Sequence, residues 1–364
     1  MEFDLSEDQR LFGESLSGFL QDRQPLEALR RMAEPGSGFD AGLWDGLTEL
    51  GLHGLLVPEQ FGGAGLGVLD AAAAAEALGG TAAVVPFAAS TVMATLALLR
   101  LGSPAQQAAY LPGIAAGEIR IGVGFAGRTG QTGPAEARLD GTRLSGRISG
   151  ALDAGAPTHL LVCLPDGRAV LTGAAEAGVS VSSHRTIDRT RPVADLVFDG
   201  AAAEILGSSN RGPAALASVL DAGRVVLAAD TVGAAQTMLD RAVAYAKERA
   251  QFGRVIGSFQ GVKHACADMA TMLEPCRAMV WYAAHAQDSI PAEARLWACQ
   301  VKAHVGDVGR EVARISTEVH GGMGFTDLLG LHYWFKRIAF NRQALGGPER
   351  CRHDAAVEQG WIVA

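Results

Sequence analysis

Disulfide bonding has little to work with in this chain. The five cysteines, Cys163, Cys266, Cys276, Cys299 and Cys351, are an odd number, lie far apart and form no CxxC pair. That spacing excludes a disulfide framework or a structural zinc site and points to reduced thiols in a cytoplasmic protein. Positive charge is scarce as well. The 31 Lys and Arg stand against 39 Asp and Glu, a net charge of −8, which argues against nucleic acid as a ligand. Long apolar runs are missing too. The most hydrophobic stretch, residues 71–101, is broken by Glu76, Gly79, Gly80 and Pro86, so no membrane span is expected. Residues 1–10 are acidic and carry neither the basic nor the apolar segment of a secretory leader.

What remains is ample for a large core: 364 residues at 48% hydrophobic content imply two or three folding units. From residue 5 to about 117 the pattern is helical, as in residues 8–21, where Leu11, Leu16, Phe19 and Leu20 recur near the 3.6-residue period. Helices are also predicted over 69–78 and 90–101, and Leu111, Pro112 and Gly113 break the pattern. Residues 119–207 read differently. Short β-branched runs (119–123, 159–163, 169–171, 179–181, 195–198) alternate with Gly, Asp and Pro turns, the mark of a small antiparallel β-domain. Helical periodicity then returns over 214–250, 261–287, 291–320 and 331–342 with short connections, which predicts a four-helix bundle. The expected fold is α+β: an N-terminal helical domain (1–118), a middle β-domain (119–207) and a C-terminal helical bundle (208–364).

Gly122, Gly124 and Gly127 match GxGxxG, but Arg128 to Pro134 cannot open the helix that a dinucleotide loop requires, so a β-domain turn is expected. His264 with Cys266, or Cys351 with His353, diverge around a helix and have no third ligand nearby; no metal is expected. A more informative segment is RAQFGRVIGSFQ, residues 249–260. Arg249 can pair with a phosphate, Phe252 can cover a flat ring and Gln260 can read polar ring edges, although a solvated basic helix end fits equally well. In HGGMGFT, residues 320–326, consecutive glycines let backbone N–H groups approach an anion, or simply cap a helix.

These two segments, with LSEDQRLF, VPEQFGGAGLG, LPGIAAGE and VLDAGRVVLAADTVG, make the chain resemble the acyl-CoA dehydrogenase family of flavoproteins over essentially its whole length. The resemblance implies FAD at a subunit interface, its ADP half held by residues like Arg249, Gln251, Phe252, Gln260, Gly321, Gly322 and Gly324. It also implies α,β-desaturation of an acyl-CoA: a Glu takes the α-proton, the β-hydrogen leaves as hydride to the flavin, and electrons pass to an electron-transferring flavoprotein.

Three departures qualify it. Between Ile119 and Gly207 there is neither Trp nor Tyr, so the platform for the flavin ring looks stripped. The window that resembles the site of the family's Glu, residues 342–348, holds no carboxylate, and the alternative base position on the helix is Gly223. Asp221 lies about 200° away from Gly223 around that helix, and Glu349 is the other nearby acid. Lastly, Glu318 stands where a Gln often precedes the glycine turn. The expectation is a subunit of an FAD-dependent acyl-CoA dehydrogenase whose homologous partner supplies the Glu, as in some actinobacterial enzymes acting on steroid side-chain thioesters. The alternatives are a homo-oligomeric enzyme using Asp221 or Glu349, and a flavin-free acyl-CoA-binding scaffold.

Overall fold

A computed structural model describes residues 4–34, 39–126, 137–207 and 212–363. Helix α1 (Glu7–Arg23) opens on a capping box: the Gln9 N–H donates to the Ser6 hydroxyl and the Ser6 N–H to the Gln9 side chain. Helices α2 (Leu26–Met32), α3 (Ala41–Glu49) and α4 (Val68–Gly80) follow. The helix expected over 90–101 starts instead as a wide π-helical segment, Phe87–Ala94, and becomes α5 (Thr95–Leu101). There the Ala89 N–H turns to Asp153 (2.9 Å) and the Ser90 hydroxyl accepts from the Ile121 N–H (3.0 Å), so the irregular turn is where helix meets sheet. Helix α6 (Pro104–Ala115) runs through the predicted break at Pro112, whose missing N–H falls in the final turn and costs a single helical bond.

The sheet comprises β1 (Ile121–Phe125), β2 (Arg138–Asp140), β3 (Arg143–Leu152), β4 (His159–Cys163), β5 (Ala169–Gly173), β6 (Val179–Ser183), β7 (Val193–Ala202) and β8 (Glu204–Ile205), in the order β6-β7-β3-β1-β4-β5-β8 with β2 on β3. It is antiparallel except for β1 and β4, which run parallel. Strand β3 flanks one edge of β1, and the chain then crosses to the other edge and reverses. The two leading glycines of the GxGxxG pattern lie inside β1, not in a turn; Gly127 and residues 128–136 lie outside the described residues.

The bundle comprises α7 (Gly212–Glu248), α8 (Gln260–Ser289), α9 (Pro291–His320) and α10 (Leu331–Gln343), with α11 (Pro348–Glu358) packed on α9. Two-residue strands β9 (Ala250–Gln251) and β10 (Arg254–Val255) link α7 to α8. One apolar core runs through both helical regions. Helices α4 and α7 touch backbone to backbone, because a Cβ on Gly233 would lie 1.9 Å from the Glu76 carbonyl and one on Gly79 2.0 Å from that of Asp230. Buried Asp230 accepts from Arg337 (2.9 and 2.7 Å) and Asn341 (2.6 Å) of α10 and from Arg191 (2.9 Å), which leads into β7. Burial alone raises its pKa, but Arg337 and Arg191 hold it below the usual carboxylate range. Among the described residues no helix is long and apolar enough to cross a membrane.

Candidate functional site

Helix α7 ends in the tight β9–β10 turn, where Phe252 (φ 54°) and Gly253 (φ 78°) both adopt the left-handed conformation. Glycine does so freely; a phenylalanine does so at a cost. The ring meets the Phe259 ring edge-on (6.2 Å between centroids) yet stays 92% exposed, so packing within the chain offsets little of that cost. Arg249, Gln251 and Gln260 are exposed around it. Gln260 begins α8, whose N-cap, Phe259, has no side-chain hydrogen bond, so the helix presents free N–H groups.

The glycine turn lies at the same end of the bundle. The Tyr245 ring stacks on His320 (4.6 Å between centroids), which ties the end of α7 to the end of α9. A Cβ on Gly321 (φ 59°) or Gly322 would meet nothing within 4 Å, so their backbone is open to an incoming group. Gly324 has another role: its Cβ would lie 2.6 Å from the Thr317 carbonyl, so only glycine lets the turn fold back on α9. Glu318 pairs with Arg314 on the helix surface.

A second region lies between the sheet and the α10–α11 connection, around a cavity of about 500 Å³. Val123, Phe125, Leu152 and Leu345 make it apolar. Ser149, His184 and Gln343 supply its polar groups; no described residue lining it is a carboxylate. The His184 ring lies 2.7 Å from Asp195. A smaller cavity of about 270 Å³ shares His184 and Val193 with the first and brings in Arg185 and Arg189.

The carboxylate-free window lines this cavity through Gln343, Ala344, Leu345 and Gly347, and Leu345 packs on buried Gly223. Leu345, at φ 59°, places its Cδ1 2.8 Å from where a Cβ on Gly223 would stand. The loop carrying it is fixed from below. The Arg224 Nε–H donates to the Leu345 carbonyl (2.9 Å), and Lys302 donates to the carbonyls of Arg342 (3.0 Å) and Gly346 (3.2 Å). Burial pulls the Lys302 pKa down to about 8. Asp221 and Glu349 are elsewhere. Burial pushes Asp221 up to about 6 against the pull of Arg295 (3.1 Å) and Arg224 (3.3 Å). Glu349 stands exposed on the first turn of α11, 3.5 Å from Arg342. Neither lines the cavity.

The clamp formed by Arg224 and Lys302 was not read from the sequence. A usable signal was there for Lys302, which falls on the apolar stripe of α9 between Ala298, Val301 and Val305, where a lysine needs a buried partner. The contact between Gly223 and Leu345 had no local signal.

Residues 6–118 match the family described as acyl-CoA dehydrogenase, N-terminal domain, and residues 210–356 that described as acyl-CoA dehydrogenase, C-terminal domain. Acyl-CoA dehydrogenase IpdE2 of Mycolicibacterium smegmatis is 28% identical over 345 residues, covering 94% of this chain and 96% of that protein. Acyl-CoA dehydrogenase FadE34 of Mycobacterium tuberculosis is 34% identical over 320 residues, covering 87% of this chain but 42% of that protein. Among solved structures, the ChsE4–ChsE5 complex from Mycobacterium tuberculosis matches with a TM-score of 0.90 and 27% identity over 100% of both chains. A variant of the Tcur3481–Tcur3483 steroid ACAD matches with a TM-score of 0.87 and 30% identity over 98% of both.

Proposed function

The chain belongs to the acyl-CoA dehydrogenase family of FAD-dependent oxidoreductases, and from that premise we propose that it is the base-less subunit of a heteromeric acyl-CoA dehydrogenase. The contact of Leu345 with Gly223 carries this reading: the window 342–348 holds no carboxylate, the alternative base position is Gly223, and Leu345 from that window, with Met93, takes the space where a side chain at 223 would stand. Desaturation next to a thioester needs a carboxylate at the α-carbon. In this assembly a homologous partner provides it.

FAD, when bound, supplies the flat hydride acceptor. The chain's outer turns suit the ADP half of a cofactor seated mainly in the partner. Arg249 pairs with the pyrophosphate, Phe252 covers a ring, and Gln251 and Gln260 offer amides. The open N–H groups of Gly321 and Gly322 face the anion, with Gly324 shaping their turn. The cavity between the sheet and the α10–α11 connection suits a different task. Its apolar wall can hold an acyl or sterol-like group, while Arg185 and Arg189 at the adjoining cavity favour the phosphates of CoA. The paired chain names of the ChsE4–ChsE5 and steroid ACAD relatives agree with a two-subunit assembly. Electrons would leave to an electron-transferring flavoprotein.

Co-expression with a homologous chain that carries the Glu tests the proposal. The expected result is a yellow complex that oxidises acyl-CoA, while this chain purified alone is inactive and does not hold one FAD per protomer. Turnover by the chain alone, abolished by Asp221→Asn or Glu349→Gln, would overturn it in favour of a homo-oligomer. A colourless, inactive complex that still binds acyl-CoA would overturn it in favour of a scaffold.

A further inference from the structure

The open glycine turn runs directly into residues 326–330 and is tied to them. Both the Thr326 N–H (3.1 Å) and the Thr326 hydroxyl (2.8 Å) donate to the Met323 carbonyl inside the turn, and the Gly330 N–H closes on the Asp327 carbonyl (3.1 Å). At its near end the turn is pinned to the bundle by the stack of Tyr245 on His320. Its far end is held from the N-terminal helical region. Arg30 of α2 donates to the Asp327 carboxylate (3.1 Å), to the Asp327 carbonyl and to the Leu328 carbonyl (3.2 Å). The next carbonyl, that of Leu329, accepts from Arg241 of α7 (2.8 Å), and the His332 ring lies 2.7 Å from the other Asp327 oxygen. Gly330, at φ 63°, lets the loop approach α2 so closely that a Cβ there would lie 2.3 Å from the Leu26 Cδ1.

Apolar packing does little of this work. Phe325 and Leu328 are 80% and 70% exposed, and of the loop's apolar side chains Leu329 alone packs on the core. A lone surface ion pair is worth little, but a guanidinium that also takes two backbone carbonyls fixes the path of the chain itself. Resting on the reading that Gly321 and Gly322 meet the anion of FAD, we propose that Arg30 is a positioning residue for the cofactor. Through the 326–330 loop, α2 sets the orientation in which the glycine N–H groups are presented. A turn freed at its far end samples other orientations, and its apparent affinity falls with the fraction of time it is in place.

Arg30→Met in the co-expressed complex tests the proposal, with FAD titrated and read by flavin fluorescence. The FAD dissociation constant is expected to rise about tenfold, as for a turn in place about a tenth of the time. Arg143→Met is the control, because it removes a similar arginine-to-carbonyl bond at the sheet, to Gly200 (3.1 Å). It is expected to leave FAD affinity unchanged and to lower the unfolding midpoint of the flavin-free chain at least as much as Arg30→Met does. Asp327→Asn is expected to weaken FAD binding as well, and the double variant no more than the stronger single one, because both act through one loop. Unchanged FAD affinity in Arg30→Met, in a complex whose flavin is released by Arg249→Ala, overturns the positioning role alone. Additive losses in the double variant, or an equal loss in Arg143→Met, overturn it too. An unaltered complex that holds no flavin overturns the reading on which it rests.

Discussion

The outer turns lie at one end of the bundle and the cavity of about 500 Å³ lies where the sheet meets the α10–α11 connection, and the two differ in opposite ways. At the turns, groups that gain little inside the chain are kept at a cost: a largely exposed aromatic in a left-handed conformation and two glycines with open backbone. At the cavity no described lining residue is a carboxylate, and the loop that bears Leu345 is held by two buried cations. A chain that worked alone would need chemistry at the cavity; one that serves a neighbour needs only the turns. Conformational cost retained at an exposed position is therefore the more telling sign of function here.

Four substitutions or conditions sharpen this contrast. Arg224→Met has the largest expected effect. It removes the fully buried of the two arginines shared by Asp221 and Asp354, leaving them the half-buried Arg295 (3.1 and 3.8 Å), and releases the Leu345 carbonyl, for a loss of about 3–5 kcal/mol in denaturant unfolding. Amide exchange at the outer turns is expected to stay unchanged under native conditions.

Next in size is a pH effect from Lys302. Folded Lys302 deprotonates near pH 8, below the 10.5 of an ordinary lysine, so between these values the unfolded chain binds the extra proton and stability rises with pH. The gain across that window is about 3 kcal/mol, and below pH 8 the burial cost is present in full. Unfolding midpoints measured from pH 7.5 to 10 check it, and Lys302→Met is expected to flatten this component.

Arg249→Ala is expected to leave stability within about 0.5 kcal/mol. It would weaken FAD retention in the co-expressed complex about 10–100-fold, the worth of one charged hydrogen bond. Flavin content after gel filtration measures it. The smallest effect separates cost from use at a single residue. Phe252→Gly relieves the left-handed conformation and is expected to stabilise the isolated chain by about 1 kcal/mol, while the complex loses flavin.

The bundle and the two outer motifs were legible because they depend on local rules: helical period, and glycines at the ends of helices. Helix α9 was placed at its observed bounds, residues 291–320. Elements that break their own period were not. Strand β3 contains Gly146 and Gly150 and shifts register twice against β7, which erases the alternation that marks a strand. Helix α11 follows two glycines and buries only Pro348, Cys351, Asp354 and Ala355, too few to show an apolar stripe. The missing carboxylate was visible as a gap in the sequence. What fills the gap was not, because Leu345 and Gly223 lie far apart in the chain and meet only through the packing of α7 against the α10–α11 loop.

The hub at Asp230 has a consequence for how any assembly forms. One carboxylate gathers Arg191 from the approach to the sheet and Arg337 with Asn341 from α10, all out of reach of water. Sheet and bundle are thereby tied through one buried ionic cluster, and they are expected to unfold together in a single transition. On the two-subunit reading proposed above, a companion chain would meet a preformed surface, and the adjustment that docking demands would fall to the exposed turns and to the companion itself.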